Sequence, residues 1–179
     1  MESTMLPHLP ERLMLAGYPI SQTAVLFEAH EAILPMRVLF LCTQNNARSQ
    51  MAEALLRHLS HGEIEAYSAG SSPTARIHPL ARRAMETVGI DMHEHYPKHF
   101  ARYSERRFDA VVTLCAQIQE ICPIFPNDPK HIYWSIPDPV EAEGPDEEQY
   151  AIFQQTGMQL TTRLRLLMTV LDRQHQRHF

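Results

Sequence analysis

Cys42-Thr43-Gln44-Asn45-Asn46-Ala47-Arg48-Ser49 is the stretch on which the reading of this chain turns. Before it stands Arg37-Val38-Leu39-Phe40-Leu41, a short apolar run of strand character. After it, Met51, Leu55 and Leu59 recur at helical spacing, which predicts a helix over 47–60. The eight residues therefore occupy a strand-to-helix turn. A cysteine, five residues and then Arg-Ser at such a turn describe an oxyanion pocket with a nucleophile at its base. Helix N-termini carry unpaired N–H groups and a positive dipole end, which bind anions and lower a thiol pKa. Arg48 adds a planar, permanently charged fork for two oxygens of a tetrahedral anion. Ser49 is placed to donate its hydroxyl to Cys42, and Asn45 and Asn46 tolerate left-handed backbone. The competing readings are a cysteine buried as a small apolar residue and a nucleotide phosphate loop. The second lacks its Gly-Lys pair and any glycine in the turn.

Working outward, strands are expected at 38–41, 64–68, 110–114 and 131–134. A second helix is marked by Leu80, Ala84 and Val88, with Gly89 at its C-terminal cap. A last helix is expected from about 147 to 172, with Phe153, Leu160, Leu164, Leu167 and Leu171 on one face and Gly157 weakening it. This alternation predicts an α/β fold, a four-stranded parallel sheet with helices on both faces, for which a flavodoxin-like order is the expectation. Ligands in such sheets sit beyond the carboxyl ends of the strands. Cys42 ends the first strand and Cys115 the third, and these are neighbours in a flavodoxin-like order.

Residues 1–36 read as an N-terminal extension of unknown role, with four prolines and one short helix over 21–33; residues 37–179 form the domain proper. The 179 residues, 44% hydrophobic and 21% charged, are those of an ordinary globular chain. A net charge of −5 gives no reason to expect nucleic acid as a partner. No apolar run reaches the roughly 18 residues that span a membrane, and no export signal is apparent. Three cysteines without such a signal read as working thiols in a cytoplasmic protein.

The chain resembles the low-molecular-weight tyrosine phosphatases, and within them the thioredoxin-coupled arsenate reductases, from about Arg37 onward. The resemblance rests on Cys42-x5-Arg48-Ser49 with Gln50-Met51-Ala52-Glu53, then Ser68-Ala69-Gly70, Gly89-Ile90-Asp91, Val111-Val112-Thr113-Leu114-Cys115, Cys122-Pro123 and Asp138-Pro139. It implies that Asp138 is the general acid/base; the plainer reading is an aspartate of the Pro137-Asp138-Pro139 turn. It implies a relay in which Cys42 attacks arsenate, Cys115 attacks Cys42 and expels arsenite, Cys122 attacks Cys115, and thioredoxin reduces the resulting disulfide. The plainer reading makes Cys115 and Cys122 buried core residues. On a continuous helix, residues seven apart stand roughly 10.5 Å apart along the axis, so a Cys115–Cys122 pair requires 116–121 to loop or unwind.

The chain departs from the family at several points. Ala47 replaces a common second loop cysteine, and Gln44 a common glycine. Val140-Glu141-Ala142 stands where the phosphatases carry substrate-binding tyrosines, which weighs against an aryl phosphoester. Glu53 and Ser68 match part of a potassium site, while Tyr96 and Lys98 fall where other ligands are expected; a lysine ammonium can stand in for the ion, so no potassium is predicted. No metal or cofactor is expected, the histidines (His93, His95, His99, His175 and His178 among them) reading as solvated surface, and Trp134 as packing. Phosphate or sulfate would compete with arsenate for the loop. A phosphotyrosine phosphatase using Cys42, Arg48 and Asp138 is the enzymatic alternative, an oxyanion-sensing or docking module the non-enzymatic one. Glutathione systems share the fold, which leaves the reductant open.

Overall fold

The computed structural model describes residues 35–119 and 122–175, so the helix expected at 21–33 and all of the extension before Pro35 lie outside the described residues. Strands β1 (Met36–Cys42), β2 (Ile64–Gly70), β3 (Ala110–Thr113) and β4 (Lys130–Tyr133) form one all-parallel sheet in the order β2-β1-β3-β4. This is the flavodoxin-like order, and the helices α1 (Arg48–Leu59), α2 (Pro79–Thr87), α3 (Ala116–Gln119) and α4 (Asp146–His175) connect or follow the strands. β1 is central, and Val38, Leu39, Phe40 and Leu41 are wholly buried. That is why its sequence is a continuous apolar run rather than an alternation. β4 is an edge strand with Lys130, His131 and Tyr133 exposed, as a solvated sheet edge requires.

The parallel register puts Leu39 beside Tyr67 and Val111, and Phe40 beside Ser68 and Val112. Alternate residues face opposite sides. On the Phe40 side, Ser68 donates to Glu53 of α1, and Trp134 packs 6.2 Å from Phe40 under Arg163 of α4. On the other side, Tyr67, Tyr103, Phe108 and Phe125 stack edge to face at centroid separations of 5.4 to 6.0 Å.

The second helix differs from expectation at one end. Its buried residues are Ala81, Ala84 and Met85, while Val88 is 56% exposed. The helix stops at Thr87, so Val88 caps it instead of extending its inner face. Gly89 then adopts φ +78°. Its N–H donates to Glu86 O, and the Ile90 N–H to Met85 O, the two bonds of a Schellman cap. In α4, Phe153, Leu160, Leu164, Leu167 and Leu171 are all buried. Gly157 has a packing reason: a Cβ there would lie 3.2 Å from Met85 Cε and 3.5 Å from Met51 Cε. Among the described residues, no helix is long and apolar enough to cross a membrane.

Candidate active site

Parallel strands deliver their carboxyl ends to one rim. β1 ends there at Cys42, which is 2% exposed. The chain then turns into α1, whose N-cap Ala47 has no side chain to offer the first amides. Those N–H groups remain directed at the loop. Asn45 takes φ +49°, the left-handed conformation that folds the loop back on itself; Asn46 does not. Gly70, at the end of β2, lets the loop pass close by, since a Cβ there would lie 2.5 Å from Thr43 O.

Behind the loop, hydrogen bonds fix one another's direction. Asn45 Oδ1 accepts from Gln50 Nε2 (3.0 Å) and from the Lys98 N–H (2.6 Å). Its amide nitrogen must then donate, and it does, to Ser49 Oγ (2.8 Å) and Ser68 Oγ (3.0 Å). Ser68 passes its own hydrogen to Glu53. Ser49 is left with its hydrogen for the Cys42 sulfur, 2.9 Å away. Complete burial pushes the Cys42 thiol up. The Ser49 hydroxyl, the N–H groups of Ser49 and Asn45, and the Arg48 charge pull it down, and burial prevails. The lowering expected of the loop is thus present but does not set the net direction.

Arg48 is 7% exposed. It donates from Nη1 to Ile136 O at 2.9 Å and pairs through Nη2 with Asp138. Its Nε is buried with no partner among the described residues. A buried charged donor without an acceptor is costly, and an oxyanion held at the loop would supply one. Asp138 also caps the short 3-10 turn Pro139–Glu141, accepting from the Val140 N–H at 3.2 Å. Thr43, Gln44, Arg48, Cys115, Tyr133 and Asp138 are among the walls of a cavity of about 360 Å³ at this rim. Cys115 is buried, its sulfur 3.4 Å from Thr43 Oγ1. A larger cavity, about 590 Å³, lies between α1, α2 and α4, but no cysteine, carboxylate or guanidinium lines it.

The structure therefore gathers Cys42, the loop, Arg48, Ser49, Cys115 and Asp138. Of the three cysteines, Cys115 lines that cavity, while Cys42 is buried at the end of β1 and Cys122 is not among the walls. All three cysteines are free thiols; Cys122 is half-buried, and burial pushes its pKa up. The helix expected over 116–121 is seen as α3 up to Gln119, and residues 120–121 lie outside the described residues. Lys98 brings its own positive charge to Glu53: its ammonium is 3.4 Å from Glu53 and 3.1 Å from Tyr96 O. His93 pairs with Asp91, His95 lies 3.3 Å from Gln50, and His99 caps the 3-10 turn Phe100–Tyr103. Gln50 is a hydrogen-bond partner of the loop that the sequence did not single out as a site residue. A wholly buried glutamine on a helix face beside the loop is its signal.

Residues 37–177 match the family model described as low molecular weight phosphotyrosine protein phosphatase. An arsenate reductase of Halalkalibacterium halodurans is 35% identical over 128 residues, covering 72% of this chain and 91% of that protein. Among solved structures, an arsenate reductase in the phosphate binding state is 28% identical, with a TM-score of 0.58 over 75% of this chain and 97% of that one. A thioredoxin-dependent arsenate reductase of Corynebacterium glutamicum is 28% identical, with a TM-score of 0.54 over 82% of this chain and 70% of that one. By its anion loop, its sheet order and this match, the chain belongs to the low molecular weight phosphotyrosine protein phosphatase family.

Proposed function

We propose that this protein reduces arsenate to arsenite through Cys42, Cys115 and Cys122, with thioredoxin as reductant. The Cys42 thiolate attacks arsenic, and an arsenate oxygen leaves as water. Arg48 and the loop amides hold the remaining oxygens, and Asp138 supplies the proton to the departing oxygen. Cys115 then attacks the Cys42 sulfur. The sulfur–arsenic electron pair stays on arsenic, which leaves as arsenite, and a Cys42–Cys115 disulfide forms. Cys122 attacks Cys115, freeing Cys42 and leaving Cys115–Cys122 for thioredoxin to reduce. Such a cycle suits a reducing, cytoplasmic setting.

The observation that carries the proposal is a thiol other than Cys42 in the wall of the cavity beside the loop: Cys115 lines it together with Thr43, Arg48 and Asp138. A phosphatase needs no such thiol. The relatives named arsenate reductase support the same reading.

The test is arsenate-dependent NADPH consumption with thioredoxin and thioredoxin reductase, with a glutathione–glutaredoxin arm beside it. Turnover with thioredoxin that Cys122→Ser abolishes, leaving one arsenite per enzyme, is the expected result. Unchanged multiple turnover in Cys122→Ser overturns the relay, and turnover with glutathione alone replaces the reductant. Hydrolysis of an aryl phosphate without arsenate reduction makes the protein a phosphatase. Tight phosphate binding with neither activity makes it a sensor.

A further inference from the structure

A second cleft of about 350 Å³ lies beside β2, the outermost strand, and shares no lining residue with the cavity that holds Arg48 and Cys115. Four cationic side chains line it: Arg57, Lys98, Arg102 and Arg106. Their partners divide them into two kinds. Arg57 is satisfied, with Glu53 at 2.7 Å and two bonds to Ala66 O. Lys98 shares Glu53 and donates to Tyr96 O, which leaves one ammonium hydrogen uncommitted. Arg102 and Arg106 have no carboxylate within ion-pair distance among the described residues; each lies instead over a tyrosine face. Arg106 is 4.3 Å from the Tyr67 ring and Arg102 6.0 Å from the Tyr96 ring.

Two of the three acidic residues of the cleft are already engaged, and the third, Glu94, is exposed at its rim. Glu53 is held by Arg57, Lys98 and Ser68. Asp91 is bound to His93, which also approaches Glu94. Two guanidinium forks and a lysine hydrogen therefore line one cavity with no acceptor bound to them among the described residues. A guanidinium stacked on an aromatic ring keeps its in-plane N–H groups free for a planar or tetrahedral oxyanion.

We propose that this cleft is a second anion site, which takes a phosphate group between Arg102, Arg106 and Lys98. The group belongs either to inorganic phosphate or to a small phosphomonoester. The site stands apart from the loop, so the proposal does not depend on the reaction assigned to Cys42. It does touch that reaction. Lys98 and Glu53 lead through Ser68, Asn45 and Ser49 to the Cys42 sulfur. Burial holds the Lys98 ammonium below its ordinary pKa, and a bound anion would push it back up.

The experiment is calorimetric titration of the full chain with inorganic phosphate, and separately with adenosine monophosphate. The expected result is two equivalents of phosphate in the unmodified protein. One should be lost in Arg48→Ala, and the other weakened about tenfold or more in the Arg102→Ala/Arg106→Ala pair. Both arginines of that pair are exposed, so its fold is retained, which circular dichroism checks. Tighter binding of the nucleotide at the second site identifies a phosphomonoester as its occupant, and tighter inorganic phosphate identifies the free ion. A single equivalent that Arg48→Ala abolishes, or a second one indifferent to Arg102 and Arg106, overturns the proposal.

Discussion

Ser49 stands 2.9 Å from the Cys42 sulfur with its hydroxyl hydrogen available to donate there, while its oxygen accepts from Asn45 at 2.8 Å. The hydroxyl is thus oriented before any substrate arrives, and it favours the charged form of the thiol it faces.

Replacing Ser49 by Ala removes the largest influence that lowers the Cys42 pKa, while the burial that raises it remains. The thiol then moves further up, and less thiolate is present at neutral pH. Hydrogen bonds to charged groups contribute about 1.5–3 kcal/mol, so iodoacetamide alkylation of Cys42 at neutral pH should slow by about tenfold or more. Its pH profile should shift to the alkaline side. A profile that stays in place, or moves acidic, contradicts the donor role.

Arg48→Lys keeps the charge but loses the fork. A lysine cannot serve Ile136 O, Asp138 and an anion from three separate nitrogens, as Arg48 is placed to do. Turnover should fall by about 10² or more, and phosphate binding should weaken with it. A variant with full phosphate affinity shows that the loop amides alone hold the anion.

The glycines at 70 and 89 separate site from scaffold. Gly70→Ala drives a Cβ to 2.5 Å from Thr43 O, so the loop must shift and activity should collapse. Gly89→Ala meets no neighbour but keeps φ +78°, so it should cost about 1 kcal/mol of stability. Turnover per folded molecule is expected to be unchanged. Melting curves and kcat measured on both variants check the contrast.

Tyr103 is 6% exposed, and burial raises its pKa to about 12 from 10.0. A phenol raised in the folded state contributes stability that is complete below pH 10 and is lost as the pH climbs toward about 12. Two pKa units set an upper bound of about 3 kcal/mol on this loss. Tyr103→Phe should flatten the fall in urea midpoint between pH 10 and about 12. An equally steep fall in the variant assigns the alkaline loss to other groups.

What the sequence alone determined lies close together along the chain. An apolar run, eight turn residues and a helical pattern place Cys42, Arg48 and Ser49 at one strand end, because a strand-to-helix turn is a local structure. The alternation of β and α segments implies parallel strands joined by crossovers, but their order β2-β1-β3-β4 is a tertiary relation. Tertiary structure alone decided the relations across long separations. Arg48 meets Asp138 90 residues away, and Asn45 meets Ser68 23 residues away. Gln50, quoted in the sequence only as part of a motif, became a fixed partner of the loop once Tyr96 and Asn45 closed around it. The titration of Cys42 was hidden for the same reason. The donors that lower its pKa are written beside it in the sequence, but the burial that raises it is imposed by the whole fold. Desolvation depends on every element packed around a group, and no short stretch of residues encodes it.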